Sequence, residues 1–252
     1  VNFENDGIEV RDYRVKKGQS ASFPGGDYYF HEGITWSDIS SSYFGVRFVP
    51  KGNLFDLTGS MLFPTEEANV YYLMGLLTSK VSAYYLEFLN QTLHFQVGDL
   101  RRIPYIDSKN EIDKIKELVK QNIKISKIDW DSFETSWSFK KHPFIEYKKQ
   151  NLLLDTFYNW KSETNNRYMI LKSNEEKLNE IFIDLYGLHD ELFPNIDEKN
   201  VTISIANRES DGRSFLSYFI GCLMGRYSLD IEGLTFVGGE FDEAKYKTFK
   251  PN

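Results

Sequence analysis

The 252 residues carry 30 Lys and Arg against 37 Asp and Glu, a net charge of −7 and an isoelectric point near 5.3. An acidic chain with 41% hydrophobic and 27% charged residues has the composition of a globular protein and argues against a uniformly basic nucleic-acid binder. No run approaches the roughly 18 uninterrupted apolar residues of a membrane span, and one cysteine, Cys222, excludes an internal disulfide framework. The compartment this implies is a reducing cytoplasm. The opening Val1-Asn2-Phe3-Glu4-Asn5 has neither the basic nor the apolar region of a signal peptide. The chain reads as a piece of a longer protein.

Taken in order, residues 1–64 are short segments punctuated by turns. Pro24-Gly25-Gly26-Asp27 is a turn signal, and Tyr28–Phe30, Ile34–Trp36 and Gly45–Pro50 are strand candidates. A single helix follows, with Thr65 as cap and Glu66 and Glu67 in its first turn, where the helix dipole favours acids. Val70, Leu73, Met74, Leu77, Val81, Tyr84, Tyr85 and Phe88 give it one apolar stripe. Thr92–Val97 then alternates apolar and polar residues, the signature of a half-buried strand. Gly98-Asp99 breaks it, and Arg101 and Arg102 stand side by side before Pro104.

Lys109–Ser126 predicts a helix with Ile112, Ile115, Leu118, Val119 and Ile123 on one side. Residues 129–143 read as irregular, with Trp130, Phe133 and Trp137 spaced to share a buried face. Tyr147–Leu188 has the pattern of a long helix ending before Pro194. Val201, Ile203 and Ile205 suggest a brief strand. Asp211–Arg226 reads as a buried helix with Phe215, Leu216, Phe219, Ile220, Leu223 and Met224 inward. Thr235–Val237 is a last strand candidate, with Gly238-Gly239 as its turn and Arg226 a partner for Asp230. The fold class expected is α+β: a small mixed β-containing head over residues 1–106, then a mainly helical body over 107–252.

The charge is uneven. Residues 1–79 sum to −4, residues 80–172 to +4 and residues 173–252 to −7. Catalytic and metal chemistry find little support. The four histidines are widely spaced, no P-loop or G-x-S-x-G elbow occurs, and Cys222 sits on an apolar helix face as a core residue would. Acid pairs such as Asp190-Glu191 suit exposed faces. Two features suit nucleic acid. One is the Gln91–Arg102 stretch, where Gln91, His94, Gln96, Arg101 and Arg102 offer side chains that pair with base edges or clamp phosphate. The other is Lys140-Lys141-His142 beside Trp137 and Phe139. Both features are equally compatible with a solvated surface.

Five stretches carry a resemblance. "GITWSDISSSYFGVRFVPKGNLFDLTGSMLFP" (Gly33–Pro64) and "YYLMGLLTSKVSAYYLEFLNQTLHFQVGDLRRIP" (Tyr71–Pro104) resemble the target-recognition region of adenine-specific DNA methyltransferases of the restriction–methylase type. "NIKISKIDWDSFETSWSF" (Asn122–Phe139), "NEEKLNEIFIDLYGLHDELFP" (Asn174–Pro194) and "SYFIGCLMGRYSLDIEGLTFVGG" (Ser217–Gly239) resemble the PglX-type methyltransferases of BREX phage-defence systems. The resemblance implies a target-recognition portion that follows a methyltransferase domain. The partners it implies are double-stranded DNA, that domain and other phage-defence proteins, with no membrane. S-adenosylmethionine, the cofactor of such enzymes, would bind in the other domain. The catalytic Asn/Asp-Pro-Pro-Tyr/Phe motif is missing here, since no Pro-Pro dipeptide occurs. The contacts with DNA expected on chemical grounds are Arg101 and Arg102 first, then Gln91, His94 and Gln96, with Lys16, Lys17, Arg47, Lys51, Lys140 and Lys141 toward the backbone. The alternative is an assembly module in which the acidic last third docks other defence proteins.

Overall fold

A computed structural model describes residues 3–251, except 24, 41–43, 57 and 66, and describes residues 67–69 by backbone alone. The parts expected of Pro24, Glu66 and the Glu67 side chain therefore lie outside the described residues. The chain divides into two units: Val1–Met74 with Tyr85–Pro104, and Gly75–Tyr84 with Tyr105–Asn252. A small antiparallel sheet and eight described α-helices make it an α+β protein.

The first unit opens with α1 (Glu4–Lys16), which the β-rich reading of residues 1–64 did not anticipate. Asn5, Asp6 and Gly7 stand in the left-handed region, so regular helix begins after them. It has no apolar stripe, and Ile8, Tyr13 and Val15 are exposed. The Arg11 and Arg14 guanidinium groups lie over the Phe23 ring at 5.2 and 5.5 Å, a cation–π hold in place of a core. Gly26–Tyr28 is a 3₁₀ turn, so Tyr28–Phe30 is not a strand. The sheet order is β2-β1-β3, from β1 (Gly33–Trp36), β2 (Val46–Val49) and β3 (Met61–Leu62). Ile34 and Trp36 of the central strand are buried.

The helix expected over residues 65–88 is two: α2 (Glu67–Thr78) and α3 (Lys80–Leu89). The break is at Ser79. The Leu76 carbonyl accepts from the Ser79 N–H and from the hydroxyls of Ser79 and Ser82, the hydroxyls at 2.7 Å each. Side-chain donors thus replace the helical ladder. Asn179 Oδ1 accepts the Lys80 N–H at 2.9 Å and so caps α3.

The predicted strand after α3 does not form. Asn90 Oδ1 accepts from the N–H and hydroxyl of Thr92, Asn90 Nδ2 donates to the His94 carbonyl at 2.7 Å, and the Thr92 hydroxyl accepts the His94 N–H. These local bonds take up the N–H groups of Thr92 and His94 and the His94 carbonyl, and among the described residues the stretch keeps only an isolated bridge, Ile39 to His94. Leu93 and Val97 are exposed and only Phe95 is half-buried, so the apolar residues do not form one inner face. The end of the stretch is a one-turn helix, α4 (Val97–Leu100).

In the second unit, α5 (Ile112–Asp131) pairs with α7 (Leu153–Tyr186), the long helix the pattern predicts. Ile115, Val119, Leu178 and Phe182 are buried. A Cβ on Gly75 would come within 3.0 Å of Ile115, 3.2 Å of Val119 and 3.3 Å of Phe182, so the glycine permits this close approach. Asn174 Nδ2 donates to Gln121 and Asn122 across the α5–α7 pair. Gly187, left-handed at φ 64°, ends α7. Val201 and Ile203 are buried against Ile125, Tyr168 and Leu171, in loop rather than strand. A helical turn, α6 (Pro143–Glu146), and α8 (Arg208–Leu223) complete the unit.

Four expectations fail here. Trp130 is exposed and Trp137 is fully so: α5 runs on through Asp131 and carries Trp130 outward, Trp137 lies in the turns beyond it, and the two share no core face. On α8 the buried residues are Asp211, Tyr218, Gly221 and Cys222, while Leu216, Phe219, Ile220 and Met224 face solvent. The inward side is chosen by partners: the Trp160 indole donates to Asp211 at 3.1 Å, and Tyr218 stacks on Tyr227 at 5.0 Å. Thr235–Val237 is likewise not a strand, only Leu234 bridging Tyr227, and Asp230 accepts from Lys247 and Thr248 rather than from Arg226.

Candidate nucleic-acid interface

Nine of the eleven side chains proposed from sequence belong to the first unit: Lys16, Lys17, Arg47, Lys51, Gln91, His94, Gln96, Arg101 and Arg102. All nine are exposed.

The Arg101–Arg102 pair is presented by what flanks it. Leu100 and Ile103 are buried, and α4 is closed by the Gln96 N–H donating to Asp99 Oδ2 at 3.0 Å. The Arg102 N–H bonds back to the Asp99 carbonyl. Two apolar anchors and a one-turn helix therefore hold the pair outward on a defined turn. Lys16 and Lys17 end α1, where basic groups complement the helix dipole. Lys51 lies in the turn after β2.

Arg47 has a more specific setting. It lies on β2, opposite Thr35 in the sheet register, and its Nη2 donates to the Ser37 hydroxyl at 2.9 Å. With Thr35, Trp36, Ser37, Asp38, Ile39, Asp56, Thr58 and Gly59 it lines a surface groove of about 420 Å³. The wall is fastened at several points. The Trp36 indole donates to the Phe95 carbonyl at 2.7 Å, the Phe95 N–H to the Asp38 carbonyl at 2.7 Å, and the Ser40 N–H to the Leu93 carbonyl at 3.0 Å. His94 Nδ1 lies 3.2 Å from Asp38 Oδ2. At the far side Asp56 Oδ1 accepts from the Gly59 N–H and from the hydroxyl and N–H of Thr58. These bonds, the Gly59 one first, hold its carboxyl below the usual carboxylate range. The groove thus offers a guanidinium fork, two carboxylates, three hydroxyls and the exposed Ile39. A mixture of donors and acceptors suits base edges, whereas the carboxylates disfavour phosphate.

Ser37, Asp38 and Asp56 were not anticipated from sequence. Asp56-x-Thr58-Gly59 has the form of a side-chain-bonded turn and was legible as such. The approach of Asp38 to His94 was not.

Lys140 and Lys141 lie in the second unit and are engaged there. Lys140 Nζ pairs with Glu232 at 2.7 Å, Lys141 Nζ donates to the Leu229 carbonyl at 3.1 Å, and the Gly233 N–H donates to the Lys140 carbonyl. His142 is no part of a basic patch. It is buried, its Nδ1 accepts the Phe144 N–H at 3.1 Å, and burial lowers its pKa to about 4. The patch predicted from Lys140-Lys141-His142 is a brace and a helix cap.

Among the described residues no group of three His, Cys, Asp or Glu side chains is placed to hold a metal ion, and no described helix is long and apolar enough to cross a membrane.

The fold and site together define an α+β chain with an exposed arginine pair and a polar groove on its sheet-bearing unit. No family model matches it. The chain is 39% identical over its whole length to the adenine-specific methyltransferase PglX of Lacticaseibacillus casei (strain Zhang), and 34% identical over 99% of its length to the adenine-specific methyltransferase BrxX of Escherichia coli O9:H4 (strain HS). It spans 21% and 22% of those proteins, about one fifth of their length. The chain is of the PglX type, homologous from end to end to a part of these methyltransferases.

Proposed function

We propose that the first unit reads DNA for an adenine-specific methyltransferase of the PglX type, and that the chemistry lies outside these 252 residues. The observation that carries this reading is the Arg47 groove: a guanidinium fixed by Ser37 on a sheet strand, beside Asp38 and His94, in the unit that also presents Arg101 and Arg102.

The roles divide by chemistry. Arg47 reads base edges, where a guanidinium pairs bidentately with guanine, and Asp38 can accept from cytosine N4. Arg101 and Arg102 hold phosphates and so fix the register of the duplex. Lys16, Lys17 and Lys51 add phosphate contacts, and Gln91, His94 and Gln96 line the approach. Lys140 and Lys141 are the weakest candidates, because Lys140 pairs with Glu232 and Lys141 donates to the Leu229 carbonyl. The target adenine is flipped and methylated elsewhere in such an enzyme, and S-adenosylmethionine is held there too.

The test is competition between duplexes of different sequence. Arg47→Ala is expected to compress the preference for the best sequence by about tenfold, the worth of one good bidentate contact. An unchanged preference order with unchanged ratios would contradict the assignment of Arg47.

A further inference from the structure

Phe30 stands in the left-handed region, at φ 67°. The other described residues there that are not glycine are Asn5 and Asp6, whose short polar side chains tolerate that conformation. A bulky ring does not. The strain is held by two hydrogen bonds: the Phe30 N–H donates to the Asn53 carbonyl and the Gly52 N–H to the Phe30 carbonyl, at 3.0 Å each. They continue the β1–β2 pairing past Gly33 and its partner Val49. The Asn53 side chain donates to the Pro50 carbonyl at 2.8 Å and steadies that turn.

A glycine would make both backbone bonds without strain, yet the sequence places a phenylalanine here. The ring adds little to a core. It is 41% exposed and touches Phe3 and Tyr29 edge-on, with centroids 5.7 and 6.5 Å away. It is thus braced by two rings and open to solvent on the rest of its surface. A strained conformation kept for an exposed side chain points to use of that side chain.

Two neighbours say what the ring meets. Lys51, exposed, immediately precedes Gly52. Arg47 lies five residues before Gly52 on the same arm of the sheet, at most about 18 Å of chain away. That is well inside the ~34 Å of one turn of duplex. An apolar ring flanked by cations, within a helical turn of a base-reading arginine, has the make-up of a side chain that enters a base stack while its neighbours hold phosphates.

We propose that Phe30 is a wedge: when the first unit holds a duplex, this ring enters the base stack and unstacks one step. The proposal rests on the DNA-reading role of the first unit and names the residue by which that unit deforms what it reads.

The test uses the 252-residue chain alone, so that no methyltransferase domain contributes to unstacking. A duplex that the chain selects from a random pool is prepared with 2-aminopurine, whose fluorescence rises when it is unstacked, at one position after another. The expected result is a rise on binding at one step, within one helical turn of the base pair at which Arg47→Ala relaxes the preference. Phe30→Gly, which the backbone accepts, should lose the rise, and Phe30→Leu should keep it, since leucine also serves as a wedge. The affinity of Phe30→Gly should stay within about tenfold of the wild type, because the cost of parting the bases and the gain from filling the gap are lost together. Its salt dependence should be unchanged, the ring having no charge. No rise at any position with the wild type, or an equal rise with Phe30→Gly, would overturn the wedge and leave the reading by Arg47 standing. A wild-type chain that selects no duplex would overturn that reading and the wedge with it.

Discussion

His142 gives the second unit a stability that acid removes. The ring is buried against Phe144, Phe215 and Tyr218, with centroids 5.0, 5.3 and 5.9 Å away. Burial lowers its pKa from 6.5 to about 4. The folded state therefore binds fewer protons than the unfolded state between those values. Stability is whole above about pH 6.5 and falls as pH drops toward about 4, where the loss is complete. A difference of about 2.5 units corresponds to about 3 kcal/mol in total, of which about 2 kcal/mol is gone by pH 5. The perturbation is His142→Asn, which keeps a side-chain acceptor for the Phe144 N–H and cannot titrate. Losing the ring contacts costs the variant a fixed amount at every pH, so the slope and not the offset carries the information. Urea unfolding followed by tryptophan fluorescence at pH 7, 6 and 5 measures it. The stability of the wild type relative to the variant should fall by about 2 kcal/mol from pH 7 to pH 5. Parallel pH profiles would refute the account of His142 as a neutral buried cap.

Glu175 acts with the opposite sign: burial first, then the charge of Glu176, raises its pKa to about 7, so its contribution is full below about pH 4.5 and lost as pH rises through 7. Glu175→Gln should remove that loss, and because the side chain is partly exposed the gain between pH 5 and pH 8 should be about 1 kcal/mol by the same unfolding assay. Gly221→Ala would set a Cβ 2.6 Å from the Tyr227 ring, which is held between Tyr218 and Phe139. Overpacking of about 1–3 kcal/mol against about 1 kcal/mol of helix propensity gives a net loss of about 1 kcal/mol, read as a lower urea midpoint. Trp36→Phe removes the indole bond to the Phe95 carbonyl, worth about 1 kcal/mol. Hydrogen exchange at the Ser40 and Phe95 amides should quicken about fivefold, with the β1–β2 amides unchanged.

What the sequence discloses follows from which forces are local. The long helix α7 was legible because its signals are its own: sustained periodicity, a left-handed Gly187 and Pro194 beyond it. The strands β1 and β2 were legible from the β-branched and aromatic residues between turns. Two failures share one cause. Thr92–Val97 alternates as a strand should, yet the Asn90 and Thr92 side chains take up the N–H groups of Thr92 and His94 and the His94 carbonyl, and no ladder forms. The Ser79 and Ser82 hydroxyls break the α2–α3 stripe in the same way. Side chain-to-backbone bonds defeat periodicity because they offer the same backbone groups a local alternative to the helix or ladder. Helix α8 failed differently. Its existence was plain, but both of its sides are apolar enough to be inward. Only the partners Trp160 and Tyr227, 51 residues before Asp211 and nine residues after Tyr218, make the choice. The helix α1 left no trace because it lacks a stripe altogether. At the candidate interface, Arg101 and Arg102 stood out as a pair between apolar residues. The setting of Arg47 needed the Thr35 register and the position of Ser37, which are properties of the sheet.

The most direct measurement is the affinity of this chain for duplex DNA across a salt series, wild type against the double variant Arg101→Ala with Arg102→Ala. Two lost phosphate contacts should make the slope of log affinity against log salt shallower by about 1.8, with the double variant folded as the wild type is. Equal slopes and equal affinities for the two proteins would contradict the claim that this unit holds DNA through its arginine pair.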